Sequence, residues 1–181
     1  MAGSVIQNKA SAMKTVVCFI LLLSFWLPSA TNAVSAPDTQ EERPGVPAFR
    51  LIAADGKEFT QKDMLGKTTL LIFWASWCGT CHQELPKLRR LQEKWADRPF
   101  QVIAIGFRDS EQNISRYVKN HPDVFSFPVF YDKGDTVSAR FGAMTTPTLF
   151  LFDKEGKLVV PYRGGGLLEH PQFQKILTGL L

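Results

Sequence analysis

Trp74-Ala75-Ser76-Trp77-Cys78-Gly79-Thr80-Cys81 decides how the chain is read. It continues from Thr68-Thr69-Leu70-Leu71-Ile72-Phe73, a continuous apolar and partly β-branched run of the kind a strand buried on both faces requires. Beyond it, Leu85, Leu88, Leu91 and Trp95 recur at steps of three and four with Lys and Arg between them. That spacing predicts a helix from Cys78 to about Trp95, kinked at Pro86. A buried strand thus runs into a helix with Cys78 at the helix N-terminus, where unpaired N–H groups and the macrodipole favour an anion. The thiolate is the nucleophile of disulfide exchange, so such a site activates it. Cys81, one turn on, is placed to close a small disulfide ring, and the pair is expected to be redox-active.

The rest of the chain alternates in the same way. Asp55-Gly56 between two short runs is a hairpin signal. Residues 101–107 read as a second buried strand. A helix is expected from about Ser110 to Asn120, with Asp109 and Gln112 spaced as a capping-box variant and Ile114, Tyr117 and Val118 on its apolar side. Phe125–Tyr131 fits a short strand, and Asp135–Phe141 a short helix closed by Gly142. Thr148–Phe152 and Lys157–Tyr162 read as strands joined by the turn Asp153–Gly156. A last helix begins near Pro171, a residue favoured in a first helical turn. The expected class is α/β: a mixed central sheet, parallel in part, with helices on both faces and an antiparallel hairpin at one edge.

The N-terminus reads differently. Val16–Leu27 is an apolar run preceded by Lys9 and Lys14 and followed by Pro28 and small residues, and no acidic residue occurs before Asp38. This is the pattern of a secretory signal peptide over residues 1–33, cleaved after Ala33 or Ala36. The run is short against the roughly 20 apolar residues that span a bilayer, although an uncleaved anchor is the alternative. Met13 is a second possible start. Residues 34–46, polar and carrying two prolines and a glycine, are expected as a linker, and residues 47–181 as the folded domain. Loss of the leader removes only Lys9 and Lys14 among the charged residues, so a formal charge of +4 falls to +2. That mild balance, with charges interspersed, argues against a nucleic-acid binder. Cys18 leaves with the leader and lacks the small residues just before it that a lipid-attachment site shows. Cys78 and Cys81 remain, too close together to be a structural disulfide framework.

Several of these features resemble the thioredoxin fold, and in detail its exported TlpA/ResA-like branch, which includes the cytochrome c maturation thioredoxins. The motif WASWCGTC resembles the active site of the fold. Asp55-Gly56-Lys57 resembles the N-terminal hairpin of the branch, Glu84-Leu85-Pro86 its Glu-x-Pro, and residues 107–131 its extra central helix and strand. Thr145-Thr146-Pro147-Thr148 resembles the loop that carries a cis proline opposite the cysteines. The similarity runs from about 47 to 181. It implies a periplasmic or otherwise extracytoplasmic thiol–disulfide oxidoreductase, with a lean toward reduction of protein disulfides and a membrane electron donor to recharge it. It implies no cofactor beyond the Cys78–Cys81 disulfide, and a monomer is expected. Thioredoxin has a buried aspartate six residues before its first cysteine; this chain has Ile72 there. Glu84, three residues after Cys81 and on the same helix face, is expected to take over as the proton acceptor and donor for Cys81. X–Pro bonds are the ones commonly cis, and a cis bond at Thr146-Pro147 would offer the Thr146 backbone to an extended substrate segment. Trp77 is expected beside the cysteines on the docking face, and Trp74 in the core.

Cys78-x-x-Cys81-His82 also spells a c-type haem attachment motif, with Met144, His121 or His170 as a distal ligand. A haem-binding helix is not normally launched from a strand such as TTLLIFW. Cys78, Cys81 and His82 could alternatively hold copper or zinc in a metal-delivery protein, though zinc sites usually take four ligands. A peroxidase would place its attacking cysteine in a different local motif.

Overall fold

The computed structural model describes residues 43–53 and 56–181, all within one of the two units into which the chain divides, Gln40–Leu181. The expected signal peptide, most of the expected linker and Asp55 of the hairpin turn lie outside the described residues. Strand β1 (Arg50–Ile52) pairs antiparallel with β2 (Glu58–Thr60) in a small separate sheet. The main sheet has the order β5-β4-β3-β6-β7, built from β3 (Thr68–Trp74), β4 (Phe100–Gly106), β5 (Val129–Tyr131), β6 (Thr148–Phe152) and β7 (Leu158–Arg163). β3 runs parallel to β4 and antiparallel to β6; β4 and β5 are parallel, β6 and β7 antiparallel. The helices are α1 (Gly79–Lys94), α2 (Glu111–Asn120), α3 (Thr136–Phe141) and α4 (Pro171–Leu180). The element order and the mixed sheet are those the sequence predicts, and the fold is thioredoxin-like.

Every residue of β3 is buried, because the strand is central and covered on both faces. Side chains alternate across a strand, and the apolar run divides accordingly. Leu70, Ile72 and Trp74 join Val102, Ala104, Leu149 and Leu151 in one core, under Leu85, Leu88 and Leu91 of α1, Ile114 of α2, and Phe173 and Leu177 of α4. Leu71 and Phe73 join Ile103, Ile105, Phe150 and Phe152 in the other, under Phe49, Leu51 and Phe59 of the hairpin region and Val137 of α3. The continuous apolar run is therefore two period-2 faces, each with its own cover. Gly106, the last residue of β4, lets α2 approach: a Cβ there would lie 2.7 Å from Ile114 Cδ1.

Local detail refines the sequence reading at the α2 cap, the bounds of β5 and residues 43–46. α1 runs through Pro86 as one helix, so the proline, which cannot donate to the His82 carbonyl, is absorbed without ending it. The N-cap of α2 is Ser110, whose hydroxyl accepts from Asn113 N–H at 3.1 Å, not Asp109; Asp109 is turned to the loop before Cys78. Only Val129–Tyr131 of the stretch 125–131 is strand. Residues 43–46, within the stretch expected as linker, hold to the β6–β7 turn: Val46 N–H donates to the Gly156 carbonyl, Leu158 N–H to that of Pro44, and Arg43 pairs with Asp153 at 2.6 Å.

Candidate active site

The site forms where β3 leaves the sheet. Phe73 lies opposite Thr148 in the antiparallel register with β6, so the chain emerging from β3 toward Cys78 passes the residue just before β6, Pro147. The bond between Thr146 and Pro147 is cis, and Pro147 is buried with Thr146 half-buried. Cys78 and Cys81 form a disulfide, with Cα atoms 5.2 Å apart. Cys78 occupies the N-cap of α1, and its Sγ accepts the Cys81 N–H at 3.1 Å. A sulfur that takes the place of a capping oxygen meets the positive end of the helix, the environment that favours a thiolate. Cys81 is wholly buried and Cys78 slightly less so, at 5 % exposed.

The loop before Cys78 is pinned from three directions. Asp109 Oδ2 accepts the Ser76 N–H at 2.8 Å and the Ser76 hydroxyl at 2.6 Å, while Oδ1 accepts from Ser110 N–H and the Asn113 amide. Burial alone would raise the pKa of Asp109, but these donors outweigh it, and the carboxyl is held below its ordinary value. A His82 ring nitrogen lies 2.9 Å from the Ser76 carbonyl oxygen, and the ring stacks on Tyr117, which stacks in turn on His121. Tyr117 is buried enough to raise its pKa. Trp77 is 61 % exposed and donates its indole N–H to the Arg108 carbonyl at 3.0 Å. Arg108 has a left-handed backbone, φ 52°, unusual for a residue with a side chain, and its own N–H is held by Asp135 Oδ1 at 2.9 Å. Met144, 63 % exposed, stands two residues before Thr146. Trp74 is fully buried against Tyr117 and Phe125.

Glu84 is 2 % exposed. Its Oε1 accepts from Lys87 Nζ at 2.9 Å and from the Gly166 N–H at 3.1 Å, and its Oε2 is buried without a hydrogen-bond partner. The Gly166 contact comes from Gly164-Gly165-Gly166 after β7. A side chain on Gly165 would meet Thr80 Cγ2 at 2.8 Å and Glu84 Oε1 at 3.1 Å, so the bare backbone at Gly165 lets this loop lie against α1. Gly164 N–H donates to the Pro147 carbonyl at 2.8 Å. A chain of contacts thus runs from the proline loop through the glycines to Glu84 and the helix that carries the cysteines.

The family model described as Redoxin matches residues 40–177. The chain belongs to the Redoxin family. Within it the chain is ResA-like: it is 32 % identical over 130 residues to the thiol-disulfide oxidoreductase ResA of Bacillus thuringiensis subsp. konkukian, covering 70 % of this chain and 74 % of that one. It is 33 % identical over 118 residues to the thioredoxin-like protein YneN of Bacillus subtilis, covering 64 % and 68 %. Among solved structures, a candidate thiol:disulfide interchange protein DsbE of Chlorobium tepidum superposes with a TM-score of 0.70 at 28 % identity, over 77 % of this chain and 98 % of that one. In this Redoxin member the residues singled out in the sequence fall into two groups. Cys78, Cys81 and Glu84 share α1, and Pro147 and Thr146 reach them through the glycine loop, while Trp77 stands at the exposed rim. Lys87 and the three glycines carry no site role in the sequence reading and Asp109 reads there only as a helix cap; the run Gly164–Gly166 is the signal available for the glycines, since glycine clusters mark close backbone approach. His82, the proposed third ligand of a metal or the end of a haem motif, has its ring committed to Ser76 and Tyr117. Among the described residues no group of three or more His, Cys, Asp or Glu is placed to hold a metal ion.

Proposed function

We propose that this thiol–disulfide oxidoreductase works outside the cytoplasm as a reductant of disulfides in exported proteins, recharged by a membrane electron donor and acting as a monomer. The observation that carries the reading is the pairing of Cys78 at the N-cap of α1 with the buried Glu84 carboxylate on the same helix. In the reduced enzyme Cys78 attacks one sulfur of a partner disulfide as its thiolate. A Cys78–partner mixed disulfide forms and one partner thiolate leaves. Cys81 then gives its proton to Glu84 and attacks Cys78. The Cys78–Cys81 bond forms, and the second partner thiolate leaves and is protonated. Two electrons pass from the dithiol to the partner, and the donor returns them later. A base behind Cys81 serves the step in which that thiol must ionise to resolve the mixed disulfide.

Trp77, Thr146 and Pro147 form the docking side in this reading, with the Thr146 backbone pairing an extended segment of the partner as an added strand. The signal-like run Val16–Leu27 supports export. Among the described residues no helix is long and apolar enough to cross a membrane.

The deciding measurement is the equilibrium potential of the Cys78–Cys81 couple against glutathione. A reductant is expected near the thioredoxin value of about −270 mV; a value near −120 mV, that of a strong oxidant, overturns the proposal. A Cys81→Ser variant, which cannot resolve the mixed disulfide, should then trap the natural partner. It would tell apocytochrome c from a copper-site assembly factor or another secreted thiol protein.

A further inference from the structure

The two oxygens of Glu84 are not equivalent. Oε1 is taken by Lys87 Nζ and the Gly166 N–H, and Oε2 is buried without a partner. Lys87, three residues further along α1, also pairs with Glu169, which follows the glycine loop. The ammonium thus ties the helix to the same loop that donates Gly166. Lys87 is the cation paired with the carboxylate, Cys81 lies three residues earlier on α1, and Glu169 lies beyond Lys87 on the loop. Tyr162 of β7 donates its hydroxyl to the Gly165 carbonyl at 3.0 Å. Arg90 acts on Glu169, whose carboxyl is lowered chiefly by Lys87. Lys87 itself is raised, first by Glu169 and then by Glu84, and so keeps its charge through the range in which thiols exchange.

We propose that Lys87 is a positioning residue for disulfide exchange: it occupies Oε1 of Glu84 and leaves Oε2 as the single oxygen open to the Cys81 proton, with Glu169 holding the ammonium in place. The proposal rests on the reading of Glu84 as the proton acceptor. Its physical basis is the environment. A buried carboxylate with no cation beside it binds protons more tightly, and a cation within hydrogen-bond reach opposes that. Lys87 and Gly166 share Oε1, so both lone-pair positions of Oε2 stay open to a proton. Lys87 does not touch the reacting sulfurs; its effect passes through Glu84.

The test is the pH dependence of insulin disulfide reduction by the purified protein. Lys87→Met keeps the aliphatic stem and removes the charge, Lys87→Gln keeps a donor without charge, and Lys87→Arg keeps both. The limb of the rate profile that disappears in Glu84→Gln should move upward by about one pH unit in Lys87→Met and Lys87→Gln, the size of effect an adjacent opposite charge has on a carboxyl. It should return to within a few tenths of a unit of wild type in Lys87→Arg. In the Glu84→Gln background Lys87→Met should produce no shift. A Lys87→Met profile superimposable on wild type, with Glu84→Gln still altered, overturns the role of Lys87 and leaves the Glu84 relay standing. A Glu84→Gln profile identical to wild type overturns both. The Lys87 side chain is 28 % exposed, so thermal unfolding near that of wild type is expected in all three variants, and the Arg and Gln variants separate charge from packing if Met alone melts early.

Discussion

Removing the Asp109 carboxylate should loosen the loop that presents Cys78, and the cost can be worked from its contacts. Asp109 accepts four hydrogen bonds, two from Ser76, one from Ser110 and one from Asn113. Hydrogen bonds to a charged acceptor are each worth about 1.5–3 kcal/mol. These four share one half-buried carboxylate, are not additive, and in part would be replaced by water. Asp109→Ala is therefore expected to cost about 2 kcal/mol. With a urea m-value of about 1–3 kcal/mol/M for a domain of this size, the unfolding midpoint should fall by about 1 M.

The pH dependence gives the sharper check. The folded pKa of Asp109 is depressed, so its charge-dependent contribution is fully present above the unfolded carboxyl value of about 3.9 and is lost as pH falls through the lower folded value. The stability gap between wild type and Asp109→Ala should be widest at pH 7 and should narrow on acidification below about pH 4. Urea titrations at pH 7, 5, 4 and 3 measure it. A gap under about 0.5 kcal/mol at pH 7, the scatter of ordinary surface substitutions, refutes the claim that Asp109 anchors the loop. A gap that is constant down to pH 3 refutes the claim that the charge does the anchoring. Since Ser76 lies two residues before Cys78, insulin reduction by the folded variant should also slow several-fold.

Gly165→Ala should destabilise the protein by about 1–3 kcal/mol, the usual cost of overpacking, and should slow exchange as well; Thr80 is exposed and can turn aside, whereas Glu84 is tied on both sides. Thermal melting and the exchange rate measure the two effects, and wild-type values for both would mean that the glycine loop does not press on the site. Trp77→Ala should change stability little, because the ring is mostly exposed, and should raise KM for a protein disulfide several-fold with kcat nearly unchanged; a fall in kcat alone would place Trp77 in the chemistry instead of the docking.

The fold was legible because its deciding elements are local. TTLLIFW leaves no polar side for solvent, so it must be central, and Pro171 and Gly142 mark helix ends through backbone preferences that need no tertiary context. Cys78, Cys81, Glu84 and Pro147 stand out in the sequence as site candidates through a local motif and its resemblance. What escaped is what depends on distant partners. Asp109 and Gln112 have the spacing of a cap, yet Ser110 caps α2, and the left-handed backbone at Arg108 accompanies the turn of Asp109 toward Ser76, 33 positions away. Lys87 lies among the charged residues of an amphipathic helix and looks like one more solvated lysine. Only the chain crossing that brings Gly166 to Glu84, 82 positions apart, distinguishes it.

The position of the carboxylate itself has a physical logic. In this chain the strand site that holds thioredoxin's aspartate is Ile72, fully buried and flanked across the sheet by Ala104 and Leu149. A carboxylate there would sit between apolar neighbours, with its backbone groups already committed to both adjoining strands, and burial without hydrogen-bonding partners is costly. Glu84 reaches the neighbourhood of the cysteines from α1, beside a loop whose N–H groups are not used by a sheet. One of those N–H groups and one lysine satisfy Oε1, while the helix keeps Oε2 in the dry side of the site. A stability-optimised protein would partner that oxygen as well. In the proposed reading the asymmetry has a use: both donors fall on Oε1, and Oε2, which has no hydrogen-bond partner among the described residues, is the oxygen that takes the proton of Cys81.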